Sequence, residues 1–292
     1  MDPRRKLIHT YAVTTAGATF CLLIAGGLVT STDSGLAVPD WPLSYGMWFP
    51  PMVGGILYEH GHRMIAAVVG LMILVLAVWL GRTEPRRWVR RLGYCALAAV
   101  ILQGLLGGLT VLLLLPPQVS IAHACLGQTT FCLVVCLAKA MSPSWIETPQ
   151  RQEDARWPSL CALSVVVASL AGLQLLLGAV LRHTGQGLAW HVMGAVMLFI
   201  GCGWLVVRAH RAGAPSELMR GSRRLGGLVC LQVVLGGLTL AHGEQVGIIT
   251  AHVALGALVL AQAVVLVWDT RRLVRPRRPA VRTATVSEQV AV

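Results

Sequence analysis

LQGLLGGLT (residues 102–110) returns as LQVVLGGLT (231–239), and in each copy a histidine follows the glutamine at the same spacing, His123 after Gln103 and His252 after Gln232. A second pair keeps the same register. His62 and His191 are as far apart along the chain as His123 and His252. Self-similarity at long period makes each copy one structural unit. The chain therefore reads as a tandem duplication in which each copy supplies two histidines.

Composition identifies the solvent. Of 292 residues, 55% are hydrophobic and 12% charged, with mean hydropathy +0.70. That is far too apolar for a soluble domain. Runs near the roughly 20 residues needed to cross a bilayer fall at 9–31, 60–81, 92–115, 118–140, 159–181, 188–208, 225–241 and 246–268. The expected fold is all-α and membrane-integral, with eight transmembrane helices as two four-helix bundles. The formal charge of +12 does not indicate a nucleic-acid partner, because all but two of the 24 Lys and Arg residues, Arg63 and Arg182, fall on one side of this arrangement. By the positive-inside rule that side is cytoplasmic and holds both termini, which implies a multi-pass membrane protein. Anionic lipid contact is a secondary use of the same charge.

The organisation follows. Residues 1–140 form the N-terminal half with a long first outer loop (32–58), and 141–158 form a cytoplasmic linker. Residues 159–268 form the C-terminal half, and 269–292 a basic tail expected to be disordered. The first segment has a charged start but lacks a small-residue cleavage site, so it reads as a span and not as a signal peptide. All eight cysteines lie in expected spans, which indicates no disulfide framework. Cys132 and Cys136 are one helical turn apart but read as packing residues, there being no other soft ligand beside them.

Ionisable groups inside a bilayer are costly and are functional candidates by default. Four histidines at matched depth, near the outer ends of spans two, four, six and eight, exceed what packing requires. Two imidazoles from facing helices can take both axial positions of a haem in a four-helix bundle. The expectation is two haem sites, His62 with His123 and His191 with His252. Zinc competes, but carboxylate or thiolate partners for a closed tetrahedral site are missing apart from Glu59. Arg63 and Arg182 are candidate contacts to haem propionates, with interfacial snorkelling as the plainer role. The paired glycines of the spans serve close helix packing or make room for a flat ligand.

The copies also differ. GGLVTSTDSGLA (26–37) matches GAVLRHTGQGLA (178–189) at a wider separation than the histidine pairs keep, so copy one carries an insertion in its first outer loop. The shift that relates the histidines takes Glu59 to Leu188 and Arg63 to Val192. A carboxylate one turn from a haem-ligand histidine can move protons, although a glutamate near a helix start is also favoured by the dipole. With the loop, this asymmetry assigns chemistry to copy one and a fixed cofactor to copy two.

TSTDSGLAVPDWP (30–42), EHGHR (59–63), LQGLLGGLTV (102–111), VLRHTGQGLAWH (180–191) and LQVVLGGLT together resemble the haem A synthase family over nearly the whole chain. The resemblance implies oxidation of a methyl group of haem O to a formyl group, giving haem A for terminal oxidases. It implies Glu59 as the catalytic carboxylate, His62 and His123 facing the substrate haem, and His191 and His252 ligating haem b. It leaves open the electron acceptor and a complex with a haem O synthase. Many bacterial members carry a cysteine pair in the first outer loop, and VPDWPLSYGMWFPP (38–51) has none. The competing class is a di-haem b electron-transfer cytochrome, which needs neither Glu59 nor the loop.

Overall fold

The computed structural model describes residues 3–146, 151–154, 156–243 and 245–276. Its elements are α1 (Pro3–Ser31), α2 (Gly55–Thr83), α3 (Arg87–Leu112), α4 (Pro117–Met141), a single turn α5 (Pro143–Ile146), β1 (Gln152–Asp154), α6 (Leu160–Thr184), α7 (Leu188–Arg211), α8 (Ser216–His242), α9 (Val246–Leu273) and β2 (Val274–Pro276). Helix starts coincide with residues that suit them. Pro117 opens α4, where its missing N–H costs nothing. Ser159 caps α6 by accepting from the Ala162 N–H at 3.1 Å, and Gly185 ends it in the left-handed region at φ 69°.

Eight of these helices are long and apolar enough to cross a membrane. Large apolar side chains stay exposed along them, among them Leu71, Ile101, Ile200 and Val234. Water would not tolerate so many, whereas lipid does. The protein is a multi-pass membrane protein.

α1 packs on α2 and α4, α2 on α3, and α3 on α4, which closes a ring of four; α6, α7, α8 and α9 repeat the pattern. The rings meet where α9 lies against α1 and α4, and α4 against α6. α4 and α9 are accordingly the spans most enclosed by protein. One buried core gathers Ile8, Ile73, Leu76 and Leu137 of the first ring. The other joins Leu163, Leu205, Leu225 and Leu266 of the second to Phe131 of α4.

At the basic end the halves are tied by charge. Lys139 of α4 pairs with Glu217 of α8 at 2.7 Å and Asp269 of α9 at 2.9 Å. Asp154 accepts from the Leu160 N–H at 2.8 Å, closing the start of α6, and pairs with buried Arg208 of α7 at 2.6 Å. Burial alone would push the Asp154 carboxyl up, but the Leu160 N–H and the Arg208 guanidinium hold it below the ordinary aspartate range.

The helices outrun the expected spans. α2 begins at Gly55, not near Glu59, so the expected loop 32–58 ends a turn early and Glu59 already lies on helix. α8 begins at Ser216, because the turns bearing Arg220, Arg223 and Arg224 are helical yet too polar to register as apolar sequence. α9 runs to Leu273, and Val274–Pro276 pairs in parallel with Gln152–Asp154, so the expected disordered tail starts later than residue 269. Residues 277–292, the remainder of that tail, lie outside the described residues.

Candidate functional site

All four histidines lie at the end of the bundle that carries the 32–54 loop, within about two turns of their helix starts. Each ring rests on a glycine of the preceding helix. A Cβ on Gly26 would stand 3.1 Å from His62 Cε1, on Gly107 3.1 Å from His123 Cε1, on Gly178 3.0 Å from His191 Cε1 and on Gly236 3.2 Å from His252 Cε1. Such separations lie inside normal carbon–carbon contact, so an alanine at any of these four positions would press on the imidazole opposite it.

His191 and His252 face each other across the second ring of helices, with ring centroids 6.3 Å apart and planes at 72°. Two metal–nitrogen bonds of about 2 Å each, plus the two ring half-widths, would put the centroids of opposed axial imidazoles about 6 Å apart. The separation of the two rings matches that spacing. His62 and His123 are within electrostatic reach of each other in the first ring. Nδ1 of His62, His123 and His252 is buried without a hydrogen-bond partner, as expected of side chains whose partner is a ligand. Among the described residues no group of three or more His, Cys, Asp or Glu is placed to hold a metal ion. The described cysteines are all free.

Glutamine residues complete three of the four sites. Gln103 Nε2 donates to the His123 carbonyl at 2.9 Å, Gln174 Nε2 to the His191 carbonyl at 2.9 Å, and Gln232 Nε2 to the His252 carbonyl at 3.0 Å. Sequence reasoning noticed the Gln103 and Gln232 register but gave it no role. The available signal was the spacing Gln-x-x-x-Gly, present at 103–107, 174–178 and 232–236.

The start of α2 is tied to the loop. Glu59 is buried, accepting from the Val38 N–H at 2.7 Å and pairing with Arg63 at 2.6 Å. Arg63 Nη1 also donates to the carbonyls of Asp40 and Leu43, both at 2.8 Å, and Nη2 to that of Val38 at 3.3 Å. Arg63, expected at a propionate, thus directs its terminal donors to the loop and to Glu59. His60 turns from the His62 side to meet Ser44 at 2.7 Å. Within the loop the Asp40 carboxylate accepts from the N–H groups of Gly46 (2.8 Å) and Tyr45 (2.7 Å), which hold it below the usual carboxylate range. The loop's Trp41 ring covers Gly108, next to the Gly107 that seats His123. In the second half Gly237 holds the matching place, and a Cβ there would meet nothing within 4 Å. Arg182, at the end of α6, reaches across the halves and donates to the Thr30 carbonyl at 3.0 Å.

The family described as COX15-CtaA, cytochrome oxidase assembly protein, matches residues 54–192. Among curated relatives, the heme A synthase of Symbiobacterium thermophilum is 28% identical over 63% of this chain and 62% of its own length. That of Lysinibacillus sphaericus is 30% identical over 63% of this chain and 60% of its own. These matches thus span somewhat under two thirds of the relatives. The heme A synthase of Caulobacter sp. is 24% identical over 92% of this chain and 97% of its own length.

Proposed function

We propose, from the premise that this chain belongs to the COX15-CtaA family of cytochrome oxidase assembly proteins, that it is a haem A synthase, oxidising a methyl group of haem O to the formyl group of haem A. The observation that carries this reading is the fourfold seating of histidine on glycine, which leaves two imidazole pairs in two helix rings. In the proposal His62 and His123 hold the substrate haem, and His191 and His252 hold haem b. Haem b bound there supplies one-electron redox chemistry. Membership of the bacterial inner membrane, with both termini cytoplasmic, belongs to the same proposal.

The chain's own residues distinguish the halves. The first half alone has a tryptophan, Trp41, lying over Gly108, next to the Gly107 that seats His123. It alone has a carboxylate, Glu59, one turn from its first histidine. Removing hydrogens from a methyl carbon releases protons, and a carboxylate fixed by the Val38 N–H and Arg63 is placed to accept them by exchanging one of those partners. Arg182, at the junction of the halves, is the cation proposed to face a propionate, while Arg63 directs its terminal donors to the loop and Glu59.

The test is to purify the chain from cells that make haem O, extract its haems with acidified solvent and identify them by mass. Haem A or a hydroxylated haem O beside haem b supports the enzyme. Haem b alone at two per chain would replace it with the electron-transfer cytochrome. Glu59→Ala is expected to keep haem b and lose product, and normal product from that variant would remove Glu59 from the reaction.

A further inference from the structure

The 32–54 loop is irregular backbone, yet it does not stand clear above the bundle. Met52 reaches α2 at Gly61, where a Cβ would stand 4.0 Å from Met52 Cε, and Trp41 covers Gly108 of α3. Coming from the loop end, the first Lys or Arg met after Arg63 on α2 is Arg82, and the first on α3 is Arg91. At about 1.5 Å of rise per residue, Gly61 lies roughly 32 Å from Arg82 and Gly108 roughly 26 Å from Arg91. A hydrocarbon core is about 30 Å thick. With those arginines in the headgroups of one leaflet, the loop is level with the opposite edge of the core.

The loop suits that depth. Residues 41–58 hold no Asp, Glu, Lys or Arg, and Pro39, Pro42, Pro50 and Pro51 have no N–H to satisfy. The Val38 N–H donates to Glu59, the Tyr45 and Gly46 N–H groups to Asp40, and Ser44 and Met47 exchange main-chain bonds. Arg63 donates to the carbonyls of Val38, Asp40 and Leu43. Irregular backbone at membrane depth needs its polar groups met within the protein. Water would meet them without a buried ion pair.

The outward edge is apolar. Trp48 is 75% exposed, Phe49 79% and Val53 64%. Beside them α2 exposes Leu57, Met64, Val68, Leu71, Val75 and Val78 at helical spacing, and Gly61, under Met52, falls in the same stripe. The edge of the loop thus continues the surface by which α2 meets lipid. Only residues 185–187 join α6 to α7, so the second half has no such edge.

We propose that residues 47–53 are seated in the lipid of the leaflet at the histidine end, with Trp48 as an interfacial anchor, so that the bilayer itself holds the loop against the first ring of helices. Through Trp41 on Gly108 and Val38 on Glu59, the held loop bears on the helix turn that seats His123 and on the turn that carries His62. Lipid would hold the loop in this way whether or not the haem reading above stands.

The experiment uses the full chain, labelled with fluorotryptophan, in phosphatidylcholine nanodiscs and read by fluorine NMR, with Trp48→Phe assigning the Trp48 resonance. A lipid carrying a nitroxide high on its acyl chain should broaden that resonance away, while a water-soluble gadolinium chelate should leave it in place. Phe49→Asp puts a charge where lipid opposes one, and it should lift the tip out and exchange the two responses. A Trp48 resonance that the chelate broadens as strongly as the nitroxide lipid, or more strongly, would overturn the inference and leave the tip open to a soluble partner. The first measurement decides the matter even where Phe49→Asp does not fold, and neither result depends on which haem is bound.

Discussion

Gly178→Ala separates two effects that usually travel together. Alanine in place of glycine inside a helix is worth about 1 kcal/mol of helix stability. The new methyl would stand 3.0 Å from His191 Cε1, against a comfortable carbon–carbon contact of about 3.5–4.0 Å, so the ring must retreat by roughly half an ångström. That displacement falls on a ligand whose partner ring is 6.3 Å away, close to the spacing an axial pair needs. The expected result is an unfolding temperature of the apoprotein in detergent that holds or rises, with haem b affinity down about tenfold or more. Gly172→Ala, on the same helix with nothing within 4 Å of a Cβ, is the control and should stabilise without touching haem. Pyridine haemochrome content against protein, with thermal unfolding of both variants, gives the answer. Gly178→Ala with full haem b content and an unchanged spectrum would refute the argument that this glycine is kept for the imidazole.

Arg63→Met removes the donors that hold the carbonyls of Val38, Asp40 and Leu43, so limited proteolysis should cut within 38–53 much faster while α2 remains intact. Arg208→Met leaves Asp154 buried without its charge partner and should cost about 3 kcal/mol, read from thermal or denaturant unfolding. The same pair sets an acid limit. Because the Asp154 carboxyl lies below its ordinary range when folded, its contribution is present above the unfolded value and is lost as pH falls through the lower folded value. Wild-type stability should therefore drop on the acid side of the ordinary aspartate range, and Asp154→Asn should flatten that drop. Lys139→Met strands Glu217 and Asp269 at the junction of the halves and should lower the unfolding temperature more than Arg220→Met does.

Much of this was legible in the sequence because the membrane imposes a coarse code. Apolar length gave the eight spans, and the repeat register isolated His62, His123, His191 and His252 before any contact was known. The start of α8 was not legible, since Arg220, Arg223 and Arg224 are helical for reasons of packing and propensity that hydropathy does not measure. Nor was the fate of Arg63, whose carbonyl partners lie on a loop well removed from it along the chain. The seating of rings on Gly26, Gly107, Gly178 and Gly236 depends on which of two adjacent small residues faces the neighbouring helix. In α1 a Cβ on the second of the pair, Gly27, would instead stand 3.4 Å from Thr250 Cγ2 of α9. Spacing narrows that choice but does not make it.

The charge triad at the seam bears on how the protein is made. Lys139 ends the fourth span, while its counter-charges, Glu217 and Asp269, arrive only with the seventh and eighth. During synthesis the first four spans therefore stand with an ammonium group and the flank of α4 unsatisfied until the last helix, α9, closes against α1 and α4. A ribosome that stalls before α8 would leave that lysine without its acids, a mark by which membrane quality control could tell an unfinished chain from a finished one. Truncation after Leu273 should be tolerated, whereas truncation before Ser216 should yield a chain cleared quickly from the membrane.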